Sequence, residues 1–474
     1  MQAVMMIASE GVPFCQTGGL ATFVGETSRA LRRIGQAVDV VLPAYRAVHL
    51  GGAQRVDRFE VELGGRSHAV TVHLLRREEV CHYFIDVPEL FDRPGMYGEG
   101  AQTYADNALR FAVFGRAALE LAIRVCRPKV IHCHDWQTGL VPVMLRSNLA
   151  AEPALAGVKT VFTVHNAAYQ GLFDRASLPS LGLDPALFHP EGLEFWGALN
   201  FLKAGLVYSD RLTTVSPGYA RELQSHEQGC GLEGVFRARS AHLVGILNGV
   251  DYAQWNPELD PYIARPYSVA DLAGKQACRQ ALQREFGLPA SRDDLPLLAT
   301  AGRFSAQKGT DFILQMVDFL EREDLQLVVL GMGDPPMEQA LREAQRLHPR
   351  GIALRLGYDE ALAHRVYAGA DLLLMPSRFE PCGITQLICL RYGTLPIVRA
   401  VGGLDDSVTE HTGFKFTSPH ADALQDATHR AVREFRDDPA QWHARVRLAM
   451  QQDFSWEATA RQYARLYGSL GGAA

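Results

Sequence analysis

Residues 3–8 read AVMMIA and residues 38–42 read VDVVL. Between them a loop from Gly11 to Gly19 leads into a stretch whose apolar positions Leu20, Val24, Leu31 and Ile34 fall near helical spacing. The first run is short and uniformly apolar, leaving no room for polar alternation, as in a strand buried on both faces of a parallel sheet. Working outward, strand-then-helix grammar recurs at Val130–His134, at Val158–His165 (VKTVFTVH) and at Arg211–Val215. That repetition predicts an α/β chain wound on both sides of a parallel sheet.

From Pro296 the pattern starts again. Leu297–Ala301, Leu325–Leu330, Ile352–Leu356, Asp371–Met375 and Leu395–Val398 read as strands with amphipathic stretches between them. The intervening Asn256–Asp294 is rich in Pro, Asp and Tyr, with one helical stretch near Ala273–Phe286, and reads as a junction. The expected division is residues 1–252, 253–454 and a tail of 455–474. In the tail Ser455 reads as a helix cap, Glu457 lies in the first turn, and Trp456, Ala460, Tyr463 and Tyr467 form one stripe. Two facing Rossmann-like halves make a cleft, and ligands of open α/β sheets sit beyond the carboxyl ends of the strands.

Composition narrows the function. The chain has 474 residues, 47% apolar and 21% charged, which is ample for a core. Lys and Arg number 47 against 53 Asp and Glu, a formal charge of −6, so nucleic acid and anionic membrane lack an electrostatic footprint. No apolar run approaches the roughly 18 residues of a membrane span. The opening Met1-Gln2-Ala3-Val4 has no basic region and reads as a first strand, not a signal peptide. Eight cysteines are scattered without a C-x-x-C pair, the usage of reduced thiols in the cytoplasm. An intracellular enzyme is the expectation.

Strand ends carry the chemistry. Gln16-Thr17-Gly18-Gly19-Leu20 precedes a helix, where glycine backbone can approach an anion; such pairs also serve as plain turns. His132-Cys133-His134-Asp135-Trp136 ends another strand. Alternation puts His132 and His134 on one face and Cys133 on the other, so a metal site is disfavoured and Asp135 reads as a hydroxyl ligand. Val164-His165-Asn166 closes the next strand similarly, and Asn248-Gly249-Val250-Asp251 sits at the junction. In the second half Gly302-Arg303 and Lys308-Gly309 place two cations five residues apart just past a strand, without Walker spacing. Such a pair suits a diphosphate and can neutralise its departing charge without a metal, the alternative being a plain solvated charge pair. Gly357-Tyr358 offers an aromatic face for a base, although a tyrosine in such a place is more commonly just packed. Ser377-Arg378-Phe379-Glu380-Pro381 holds a carboxylate on a stiff turn before a helix. The amides of Cys382, Gly383 and Ile384, followed by Thr385, stand at that helix start as donors. No two aspartates are separated by a single residue, so the D-x-D device for a divalent ion is missing.

These motifs resemble those of bacterial glycogen synthases and starch synthases, glycosyltransferase family 5. The resemblance runs through TGGL at 17–20, HDWQTGL at 134–140, VHNAAYQGLF at 164–173, GILNGVDYAQWNP at 245–257, GRFSAQKG at 302–309, SRFEPCGITQL at 377–387 and DFSWEATA at 453–460. It implies the GT-B fold, two facing Rossmann domains with a terminal helix crossing back to the first. It also implies retaining transfer of glucose from a nucleotide sugar, ADP-glucose in bacteria, to the non-reducing 4-hydroxyl of an α-1,4-glucan, with no metal or other cofactor. By motif, Arg303 and Lys308 would hold the diphosphate, and Glu380 would bind glucose hydroxyls beside the backbone of Cys382 and Gly383. His165, Asp135 and Asn248 would line the glucose pocket, Tyr358 would stack near adenine, and Gly18 and Gly19 would close over the donor.

Two positions depart from the family. Gln16 stands where a lysine usual to the family precedes TGGL, and Thr22 where the family tends to aspartate. The lost charge predicts weaker donor binding and opens a UDP-glucose preference, or a catalytically weak glucan-binding relative, as alternatives. The segment Gly403–Gly413 is also shorter than in the family, a surface-loop difference.

Overall fold

The computed structural model describes residues 3–100, 102–290 and 294–471. It divides into two compact units, one running to Ile246 and resuming at Trp456, the other Leu247–Ser455.

In the first unit nine strands form one sheet in the order Leu243–Gly245, Arg211–Thr214, Lys159–Val164, Val130–His134, Val4–Ile7, Val38–Pro43, Val80–Asp86, Arg66–Arg77, Gln54–Leu63. Neighbours pair parallel as far as Val80–Asp86. Val4–Ile7 sits between two parallel partners and is buried at every position, which is why it carries no polar alternation. The chain adds Val38–Pro43 on one side of this strand and Val130–His134 on the other. The order therefore reverses between Val4–Ile7 and Val130–His134, and ligand crevices form at such switch points.

The sequence reading placed no strands between 54 and 86. There the structure has an antiparallel hairpin, Gln54–Leu63 with Arg66–Arg77, joined through Gly64 and Gly65, both at positive φ. A Gly-Gly pair between alternating runs is a hairpin signal of this kind.

Among the described residues of the second unit six strands form one sheet, all parallel, in the order Ile352–Leu356, Gln326–Gly333, Leu297–Phe304, Leu372–Met375, Leu395–Arg399, Phe414–Phe416. Numbered along the chain this is 3-2-1-4-5-6, the Rossmann order, with its switch between Leu297–Phe304 and Leu372–Met375. The first two strands run past the glycines expected to end them, so Arg303 lies inside its strand and not beyond it. Gly331 makes this extension possible. It pairs with Gly302, and a Cβ there would stand 1.8 Å from the Gly302 carbonyl oxygen.

The terminal helix, Trp456–Gly471, belongs to the first unit. Its stripe of Trp456, Ala460, Tyr463 and Tyr467 is buried, with Trp456 and Tyr463 edge-on to Phe23 of the helix Gly19–Arg33. Arg33 donates to Glu457 at 3.0 Å on the rim of the same contact.

Candidate active site

In the second unit two loops meet at the switch point. Arg303 is exposed near the end of Leu297–Phe304, and the chain turns through Ser305 to Gly309. Gly309 has φ +69, and a Cβ there would come within 2.2 Å of the Pro376 carbonyl oxygen, so only glycine lets this turn lie against the loop after Leu372–Met375. The two loops are then joined: Arg378 N donates to Gln307 O at 2.8 Å, and Gln307 Nε2 to Phe379 O at 3.4 Å. Lys308 Nζ donates to the buried Glu380 carboxylate, which also accepts from Ser377 Oγ at 3.3 Å. A cavity of ≈ 160 Å³ is lined by Arg303, Lys308, Ser377 and Thr385 among others.

The helix Thr385–Arg391 has no capping side chain. Cys382 packs beneath the turn before it; burial pushes its thiol up to about 12, and the Asn248 backbone hydrogen-bonds its sulfur. Asn248 Oδ1 is buried with no partner, an acceptor available to a ligand hydroxyl. Gly383 is at φ +73 next to Gln386, whose Nε2 donates to the Cys382 and Gly383 carbonyls. Tyr358 follows the edge strand Ile352–Leu356, is 80% exposed, and donates to Glu360 at 3.1 Å.

In the first unit Glu10 organises the loop after Val4–Ile7. Its buried carboxylate accepts from Thr17 N at 2.5 Å, Thr17 Oγ1 at 2.6 Å, Gly18 N at 3.2 Å and Tyr97 OH at 2.6 Å. Gln16 and Gly18 are exposed on that loop, and Gly19 is exposed at the start of the helix that follows it. Gln16 Nε2 donates to Thr22 Oγ1 at 3.3 Å, so the two departures from the family pattern contact each other. Glu10 was missed in the sequence reading; the available signal was a carboxylate three residues beyond a buried central strand.

Asp135 ends the neighbouring strand at φ +55, a backbone conformation that costs a non-glycine residue energy and gathers at functional sites. Its Oδ1 accepts from His165 N at 2.8 Å. Burial, which outweighs the amide hydrogen bonds from His165 and Asn166, pushes its carboxyl up to about 7, with the Glu10 charge adding to the rise. His165 Nε2 lies 3.3 Å from His134 Nδ1. His132 packs against His134 with ring centroids 4.1 Å apart and the ring planes tilted by 39°. Burial holds His132 and His165 down at about 3 and His134 well below its ordinary value, so all three rings are neutral.

Among the described residues no group of three or more His, Cys, Asp or Glu side chains is placed to hold a metal ion. Among those residues, too, no helix is long and apolar enough to cross a membrane.

The starch synthase catalytic domain family matches residues 3–238, and the glycosyl transferases group 1 family matches residues 296–434. A glycogen synthase of Anaeromyxobacter sp. (strain Fw109-5) is 48% identical over 475 residues, covering 98% of this chain and 99% of that protein. One from Koribacter versatilis (strain Ellin345) is 44% identical, covering 98% and 97%. The catalytic domain of starch synthase IV from Arabidopsis thaliana, bound to ADP and acarbose, matches with a TM-score of 0.86 at 33% identity over 99% of each chain. Fold and matches together define an enzyme of the glycosyltransferase class with the GT-B fold. Within that class, the chain belongs to the glycogen synthase and starch synthase family.

Proposed function

We propose that this enzyme moves glucose from ADP-glucose to the non-reducing 4-hydroxyl of an α-1,4-glucan with retention of configuration, in the cytoplasm, building glycogen. The observation that carries this reading is the switch point of the second unit. There Arg303 and Lys308 line one small cavity beside an uncapped helix start, and Lys308 is paired with the buried Glu380. Arg303 and Lys308 bind the diphosphate and stabilise the charge that develops as the C1–O bond to ADP breaks. Glu380 binds glucose hydroxyls, aided by the backbone of Cys382, Gly383 and Ile384 and by Thr385. Asn248, Asp135 and His165 contact the hexose, Tyr358 stacks on adenine, and Gly18 and Gly19 close over the donor. No carboxylate is assigned as nucleophile. The acceptor oxygen attacks from the face the phosphate leaves, and the departing phosphate oxygen takes its proton.

A UDP-glucose donor is the second reading, favoured by the neutral Gln16–Thr22 contact where the family carries charge. Purified protein, glycogen and a panel of ADP-glucose and UDP-glucose, with and without EDTA, decide between them. The expected result is ADP release that survives EDTA. Strict magnesium dependence, or faster turnover of UDP-glucose, overturns the first reading. Gln16→Lys in the same panel is expected to lower the donor KM; unchanged kinetics with both donors would show the position to be idle.

A further inference from the structure

We propose that His134 is a positioning residue for the transfer: it donates from Nδ1 to His165 Nε2 and so holds His165 as the tautomer protonated on Nδ1. The inference rests on the reading of His165 as a hexose-contacting residue given above, and extends it to a residue outside that contact set.

The assignment follows from counting protons. Each neutral ring carries one N–H, and the hydrogen-bond contact of 3.3 Å between His134 Nδ1 and His165 Nε2 requires that one of these two nitrogens, and not both, bear a hydrogen. The other nitrogen of His134, Nε2, is buried and has no partner. Were His134 protonated on Nε2, that N–H would be an orphan donor inside the protein, the rarest kind of unsatisfied group. Protonated on Nδ1, His134 leaves only an unused lone pair in the interior and makes the contact to His165. His165 Nε2 is then the acceptor, and its own proton resides on Nδ1, a donor suited to a sugar hydroxyl or to oxygen gaining negative charge.

The surroundings keep His134 in this orientation. Phe23 lies 5.4 Å from its ring and 4.9 Å from that of His165. His132, its ring tilted 39° against that of His134, is pinned at both nitrogens, by Tyr467 OH at 2.7 Å and Thr163 Oγ1 at 2.6 Å. The His134 carbonyl accepts from Thr138 Oγ1 at 2.8 Å. Tyr467 comes from the terminal helix, so this helix buttresses the His132 ring that packs beside His134.

The test uses the full chain with 15N-labelled histidine. Wild-type protein is expected to show His165 protonated on Nδ1 and unprotonated on Nε2. His134→Asn keeps a donor near the position of Nδ1 and should retain both that pattern and most of kcat. His134→Leu removes the donor and should lower kcat on the order of tenfold or more, with donor KM little changed and His165 shifting toward Nε2–H. A wild-type His165 protonated on Nε2 overturns the proposal, as does a His134→Asn no better than His134→Leu. Should His134→Leu fail to fold, the wild-type spectrum and His134→Asn still decide. Should the donor panel show no glucosyl transfer, the tautomer measurement stands apart and the failure belongs to the functional reading.

Discussion

Single side chains carry opposite electrostatic loads in the two units. Arg303 is exposed, whereas Lys308 is tied to Glu380. If Arg303 binds the diphosphate as proposed, Arg303→Ala removes that contact with little cost to the fold and should lower kcat on the order of 10²–10³-fold, read by ADP release at saturating donor. Asp135 is the reverse, a carboxyl whose folded pKa of about 7 lies above its ordinary 3.8. Between those values the native protein holds the extra proton, so Asp135 costs stability progressively as pH rises through that window. Asp135→Asn keeps an oxygen for the His165 amide and removes that cost. The variant should melt higher than wild type at pH 7.5, the gain vanishing near pH 4, while losing activity. Equal melting temperatures at pH 7.5 would show that the carboxyl is not desolvated as described.

At the scale of elements, short connections are held by polar groups that no strand or helix pattern announces. Lys275, on the helix Ala273–Glu285, is buried and donates to the carbonyls of Ala368, Ala370 and Tyr392 at 3.3, 2.9 and 3.1 Å and to Thr394 Oγ1 at 2.8 Å. It thereby ties the ends of the helices Glu360–Gly369 and Thr385–Arg391 to one point. Lys275→Met strands those acceptors and should cost about 2–4 kcal/mol, measured by denaturant unfolding at pH 7. Burial also pulls the Lys275 ammonium down to about 8. The native state thus binds fewer protons than the unfolded state between about 8 and its ordinary 10.5, and wild-type stability should rise across that interval. In the variant that rise disappears. A slope that persists would assign it to another group.

On the scale of the whole molecule the two units differ in their response to acid. The first unit buries His82, held down at about 4, His132 and His165 at about 3, and His134, held well below its ordinary value. Below their ordinary 6.5 the unfolded chain binds protons that the folded unit refuses, so stability falls as pH drops from about 6.5 toward 4. Asp135 works the other way, one group against four. Hydrogen exchange at pH 7 and pH 5 should show protection lost first in Val130–His134 and Lys159–Val164, with Leu372–Met375 retained. Equal loss in both units would contradict this account.

Apolar runs alone were enough for the parallel strands Val4–Ile7, Leu372–Met375 and most of Leu395–Arg399, because burial on both faces forces apolar residues into unbroken runs that survive in the linear order. Glycine-rich and charged strand ends, Gln16–Gly19, Arg303, Lys308 and Glu380, were legible for a related reason: loops after parallel strands are where polar groups gather. The partners of those groups were not legible. Glu10 beneath Thr17 and Gly18, Ser377 beside Glu380, and His134 against His165 are contacts between segments far apart along the chain or hidden within one turn. Which neutral histidine tautomer persists, and how far Asp135 is lifted, depends on desolvation, and desolvation is set only when the surrounding elements have packed.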